Sequence, residues 1–163
     1  MSKYIAFTGA LAAIGSLITA PAALAQPDCS VDLSAPEVVS AVKSQNPGLQ
    51  REYGWDWDSD PTYMTGNYNR CAPLSVALTS VERGTGSSPD LAVFFHNGQF
   101  VGPASTKYYA FISLNQAATT PDTVVLNYKD PNSCSACEGP IYPVRYKWQG
   151  DHVQALDPLP AMG

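Results

Sequence analysis

Leu91-Ala92-Val93-Phe94-Phe95-His96, then Asn97-Gly98, then Gln99-Phe100-Val101 is the stretch that decides the fold. Two β-branched and aromatic runs flank a dipeptide that readily takes positive φ at both positions, the signature of a hairpin with a type I′ turn. A two-residue loop sets His96 opposite Gln99, Phe95 opposite Phe100 and Phe94 opposite Val101. Side chains alternate across a strand, so apolar pairs fall on both faces. Such a hairpin belongs near the centre of a sheet, covered on both sides.

Upstream, Leu74 to Arg83 is apolar and β-branched and reads as a strand, and Gly84-Thr85-Gly86-Ser87-Ser88-Pro89-Asp90 reads as a loop. Residues 49 to 70, with Trp55-Asp56-Trp57-Asp58-Ser59-Asp60-Pro61 at their centre, are rich in turn formers and read as irregular. Ser34-Ala35-Pro36-Glu37 has the S-x-x-E spacing of a capping box with proline in the first turn. Val38, Val39, Ala41 and Val42 follow at helical spacing, and Asn46-Pro47-Gly48 closes the run, giving one amphipathic helix of about three turns.

Downstream, Thr123 to Lys129 is another strand, and Val144 to Leu156 is a second hairpin turning at Gly150-Asp151. Its pairing puts Tyr146, Trp148, Val153 and Ala155 on one face and Arg145, Lys147, Gln149, His152 and Gln154 on the other, a sheet with one solvated face. The tail Asp157-Pro158-Leu159-Pro160 cannot continue a central strand and is expected to run extended along the surface. The fold expected is α+β, an N-terminal helix packed on an antiparallel sheet of about five or six strands.

The first twenty-five residues read differently. Lys3 is their only charge, an apolar run extends from Tyr4 to Leu24, and Ala23-Leu24-Ala25 closes it, which is the pattern of a secretory signal peptide. Residues 1–25 are thus expected to be removed, leaving a single domain over 26–163 that starts at Gln26. No cysteine directly follows the small residues, so the mature chain is expected to be extracytoplasmic or secreted, with no stable membrane anchor. Net charge is −5 with Lys and Arg numbering 9, and no two basic residues are adjacent. Nucleic acid, whose binding rests on neutralising phosphates, is excluded on this balance, and so is an anionic membrane surface.

Cys29, Cys71, Cys134 and Cys137 are an even set in an oxidising compartment, with three possible pairings. Cys29–Cys71 with Cys134–Cys137 is favoured because the last two share one short loop. A redox reading of Cys134-Ser135-Ala136-Cys137 needs a helix N-terminus to stabilise the thiolate, whereas Glu138-Gly139-Pro140 follows at once. Zinc lacks a second ligand pair at suitable spacing. Asp56, Asp58 and Asp60 alternate as in a calcium loop, but Pro61 and Asn67 stand where an EF-hand needs glycine and glutamate. They read as solvated loop carboxylates or an improvised calcium site, with Trp55 and Trp57 turned toward the domain. No cofactor, metal or catalytic residue is assigned.

Several segments carry a resemblance: Asn69-Arg70-Cys71-Ala72-Pro73-Leu74-Ser75, Gly86-Ser87-Ser88-Pro89, Phe94 to Gly102, Asp122 to Tyr128, Val144 to Val153 and Leu156-Asp157-Pro158. In this order they resemble the LppP/LprE family of actinobacterial envelope lipoproteins, over roughly residues 30 to 160. The resemblance implies an extracytoplasmic protein and carries over no catalytic residue. The chain departs from it in having no cysteine at the lipidation position.

The function expected is a non-enzymatic envelope or secreted module that binds a small molecule, lipid or envelope protein. Tyr108-Tyr109-Ala110-Phe111 and Trp55-Asp56-Trp57 are the candidate binding segments. The alternative is a secreted hydrolase with a site assembled around His96 or His152, which requires a nucleophile and a carboxylate within reach of the histidine.

Overall fold

Strand β3 (Asp90–His96) is buried along nearly its whole length, and the molecule is built in layers around it. The structure, a computed structural model, describes residues 28–162, so the signal segment 1–25 and Gln26 lie outside the described residues. Two helices, α1 (Pro36–Ser44) and α2 (Asn46–Tyr53), precede a 3-10 turn at Pro61–Tyr63. The strands are β1 (Thr65–Gly66), β2 (Ser75–Ser80), β3, β4 (Gln99–Pro103), β5 (Ile112–Leu114), β6 (Thr123–Lys129), β7 (Ile141–Trp148) and β8 (Val153–Ala155). They form two antiparallel four-stranded sheets, β1-β2-β3-β4 and β5-β6-β7-β8, rather than one sheet of five or six strands.

The reason lies in the two apolar faces of β2 and β3. Ala77, Val93 and Phe95 pack with Val38, Ala41, Val42 and Leu49 of the helices. From the opposite face, Val76, Leu78, Ala92 and Phe94 pack with Val124, Leu126, Tyr128, Val144 and Tyr146 of the second sheet. One helix layer covers only one face, so the other needs a second sheet, whose own outer face is free to carry Arg145 and Lys147. Burial of each phenylalanine contributes roughly 1.5–3 kcal/mol.

The Asn97-Gly98 turn has φ of 46° and 79°, both positive as type I′ requires. His96 pairs with Gln99 and Phe95 with Phe100, but Phe94 faces Gly102, because a bulge between Phe94 and Phe95 takes Val101 out of register. The bulge bends β4 away as the outer strand of its sheet, so only β3 of this hairpin is central.

The helical region also departs from the sequence reading. Pro36 opens α1 and leaves Ala35 as N-cap without a side-chain bond. Ser34 donates instead to Asp32 Oδ1 (2.6 Å), and Glu37 is drawn to Arg70 and Tyr68, so the capping box does not form. Asn46-Pro47-Gly48 starts α2 rather than ending the helical run, since proline in a first turn forfeits only an N–H that would be unpaired there. β6 spans Thr123–Lys129 as read, and the last hairpin keeps its expected register, Trp148 opposite Val153 and Tyr146 opposite Ala155. The tail is not wholly superficial. Leu159 packs on the second core, Pro160 is buried, and the Pro160 carbonyl accepts from Tyr109 Oη (3.0 Å).

Two disulfides fasten loops to this frame: Cys29–Cys71 joins the N-terminal segment to the approach to β2, and Cys134–Cys137 closes a loop between β6 and β7.

Candidate functional site

Gly54 ends α2 in the left-handed region (φ 72°), with its N–H on the Gln50 carbonyl, and turns the chain back on itself. The turn lays Trp55 on Tyr53, ring centroids 5.4 Å apart and planes 19° from parallel. Trp57 is fixed beyond it by its bridge to Val81 and by the Asn46 side chain, which accepts from its N–H (3.0 Å). Tyr108, from the crossover between the sheets, sits edge-on to Tyr53 (5.7 Å) and tilted against Trp57 (5.9 Å). The result is an aromatic ladder running from core to solvent. Trp57 is 1 % exposed and Tyr108 half-buried, whereas Tyr53 and Trp55 are 44 % and 47 % exposed.

The two segments singled out in the sequence therefore meet, but with their roles divided. Trp57 and Tyr109 are core residues, Tyr108 links the core to the surface, and Trp55 faces solvent rather than turning inward. Tyr53 had no separate signal within a segment read as irregular. Pro47 as a helix opener with Gly54 as its closing residue is the pattern that marks it.

The crossover is held in a costly conformation. Phe111 has φ of 59°, rare for a bulky side chain. Asp90 fixes it: its N–H donates to the Tyr109 carbonyl (2.8 Å) and its Oδ2 accepts from the Ile112 N–H (2.9 Å). Burial raises the Asp90 pKa, against the lowering effect of hydrogen bonds from Ile112, Ser80 and Phe111. Lys129 Nζ lies 4.5 Å from the Phe111 ring centroid on the other side.

Two hollows flank the ladder. A cleft of about 330 Å³ between α2 and the crossover is lined by Trp57, Tyr108, Asp90, Arg51 and Lys107 together with Gly48 and small hydroxyl residues. Gly48 matters there, because a Cβ at this position would stand 3.1 Å from Tyr108 Oη. A shallower groove of about 510 Å³ on the far side is lined by Trp55, Asp56, Glu82 and Arg83.

The other sequence candidates do not converge. His96 Nδ1 donates to the Pro73 carbonyl (2.6 Å), leaving Nε2 to accept from Asn97 Nδ2 (3.0 Å), and the ring stacks on Trp148 at 4.1 Å. His152 lies at the exposed tip of the last hairpin against Asp151 (2.6 Å). Neither histidine is hydrogen-bonded to a hydroxyl nucleophile, so no observation favours the hydrolase arrangement. Asp56 accepts from the Gln50 side chain on α2, while Asp58 accepts from the Asp60 N–H and Asp60 from the Thr62 N–H, the last two each capping its own loop. Among the described residues no group of three or more His, Cys, Asp or Glu is placed to hold a metal ion. The Cys134–Cys137 loop is tied down by Lys129, which donates to the carbonyls of Cys134 (3.0 Å) and Ser135 (2.9 Å).

A family model described as LppP/LprE lipoprotein matches residues 66–151, which take in strands β2 to β7 and Tyr108 but not α1, α2, Tyr53, Trp55 or β8. The protein named as lipoprotein LprE in Mycobacterium leprae (strain TN) is 32% identical over 128 residues, covering 78% of this chain and 59% of that protein. Its namesake in Mycobacterium bovis is 27% identical over 128 residues, covering 78% and 58% respectively. The chain thus spans under two-thirds of the length of these relatives. No solved structure matches it.

Proposed function

The chain belongs to the LppP/LprE lipoprotein family, and from that premise we propose that it works outside the cytoplasm, associated with the cell envelope, as a non-enzymatic binding module. Its binding surface is the aromatic ladder, and its ligand is a small molecule or an exposed part of a larger envelope component. The observation that carries this reading is the stacked pair Tyr53 and Trp55, nearly half exposed yet braced through Tyr108 to the buried Trp57. Rigid, exposed rings offer contact area at low entropic cost, and a cleft of about 330 Å³ beside them is at the small end of ligand sites. The location is supported by the family and by relatives named as lipoproteins. Among the described residues no helix is long and apolar enough to cross a membrane. Cys29 has its sulfur bridged to Cys71 and so is not a site for a thioether-linked lipid.

The test is hydrogen exchange on the full chain with and without a delipidated envelope extract. Protection confined to residues 51–57 and 107–111, lost in Trp55→Ala, is the expected result. Protection elsewhere, or protection unchanged in Trp55→Ala, contradicts the assignment.

A further inference from the structure

The distribution of unpaired cations narrows the ligand, an inference that rests on the reading of the ladder as a binding surface. The chain is acidic, net −5, and half of its described cations are engaged. Arg70, Arg145 and Lys147 are ion-paired with Glu37, Asp157 and Asp122, and Lys129 is held by backbone carbonyls. Among the described residues, Lys43, Arg51, Arg83 and Lys107 make no such side-chain bond. Arg51 and Lys107 line the cleft under Tyr108, and Arg83 lines the groove at Trp55, so three of these four surround the ladder. In the cleft the one carboxylate is Asp90, whose Oδ2 is committed to the Ile112 N–H. The groove holds Asp56 and Glu82 as well as Arg83, so the cleft is the more cationic of the two.

We propose that the cleft binds an acidic sugar, a pyranose-like ring bearing a carboxylate or phosphate, with the ring against Tyr108, the ladder residue that opens into the cleft, and the acid group held by Arg51 and Lys107. A sugar ring presents a C–H face that packs on an aromatic surface and an edge of hydroxyls. Ser105 and Thr106 line the same cleft and offer partners for that edge. A wholly apolar occupant is disfavoured, because it would leave the two exposed cations at the cleft without a counter-charge. A folded partner is disfavoured by size, since a cleft of about 330 Å³ holds about one or two rings.

The test titrates the full chain, disulfides intact, with four probes followed by amide shifts in ¹⁵N–¹H spectra. The probes are a galacturonate trisaccharide, glucose 6-phosphate, maltotriose and inorganic phosphate. The acidic sugars should shift the amides of Arg51, Lys107 and Tyr108 saturably and bind at least tenfold more tightly than maltotriose or inorganic phosphate. Arg51→Met/Lys107→Met, with its unfolding midpoint checked against the wild type, should remove that preference. Binding by just one acidic sugar supports the class and identifies the acid group. Silence from both acidic sugars overturns the proposal, as does equal affinity for inorganic phosphate or an undiminished preference in the double variant. Maltotriose binding as tightly as galacturonate, and lost in Trp55→Ala, overturns the charge requirement while leaving the ladder as a binding surface. Hydrogen exchange with the extract tests the ladder itself without reference to charge.

Discussion

Gly98 and Gly54 both hold positive φ, but for different ends. At Gly98 (φ 79°) a Cβ would stand 2.9 Å from Arg70 Cγ, so the type I′ turn and the packing of Arg70 both require glycine. Gly98→Val is predicted to destabilise the protein by about 1–3 kcal/mol, measured as a lower midpoint in urea. An unchanged midpoint would contradict the turn. At Gly54 (φ 72°) a Cβ would meet nothing within 4 Å, so Gly54→Ala incurs only the left-handed backbone penalty, about 1–2 kcal/mol. Its informative effect is on the Tyr53–Trp55 stack, and tryptophan emission should change more than the unfolding midpoint does. At this scale Asn97-Gly98 was legible because the dipeptide itself dictates the turn. The exposure of Trp55 was not, because it depends on Gly54 turning the chain after a helix that proline and glycine disguised.

Among the elements, β6 was legible from its apolar run Val124-Val125-Leu126, and the last hairpin because one apolar face opposes one polar face. The split of one helix into two was not. Composition around Asn46-Pro47-Gly48 suits a helix stop and a helix start equally, and Leu49 buried against the first sheet decides between them. The register slip at Val101 was likewise invisible, since a bulge is set by how the edge strand curves rather than by residue type. The two disulfides constrain these elements unequally, closing spans of 42 and 3 residues. In the chain-entropy model these spans correspond to roughly 4 and roughly 2 kcal/mol. Replacing Cys29 and Cys71 by serine should therefore lower stability more than replacing Cys134 and Cys137, as read by urea unfolding. The reverse order would mean that the loop between β6 and β7, rather than the N-terminal tie, supports the fold.

For the whole molecule, three ion pairs join parts distant in sequence: Glu37 on α1 with Arg70, Asp122 before β6 with Lys147, and Asp157 in the tail with Arg145. Arg70 holds the Glu37 carboxyl down to about 2. Thr120 and Lys147 do the same for Asp122, and Arg145 for Asp157, each also to about 2. Their unfolded values are near 4, so the folded state binds these protons less readily than the unfolded chain does. Their stabilisation is thus present above about pH 5 and is lost as pH falls toward 2. The unfolding midpoint should decline through that window, and Arg145→Met should flatten part of the decline. A profile independent of pH there would show the pairs to be surface ornaments. The layering itself was half legible. Apolar residues on both faces of β3 demand two covers, but that the second cover is a separate sheet follows only from the match between Phe94 and residues such as Val124 and Tyr146.

The central claim is that Tyr53 and Trp55 are exposed for binding rather than for folding. The direct measurement is the double variant Tyr53→Ala/Trp55→Ala, with its unfolding free energy and its affinity for the ligand fraction of an envelope extract determined side by side. Because both rings are nearly half exposed, stability should fall by no more than about 2–3 kcal/mol, leaving the domain folded, while affinity falls at least tenfold. Retained affinity, or a loss of stability large enough to unfold the domain, would contradict the account.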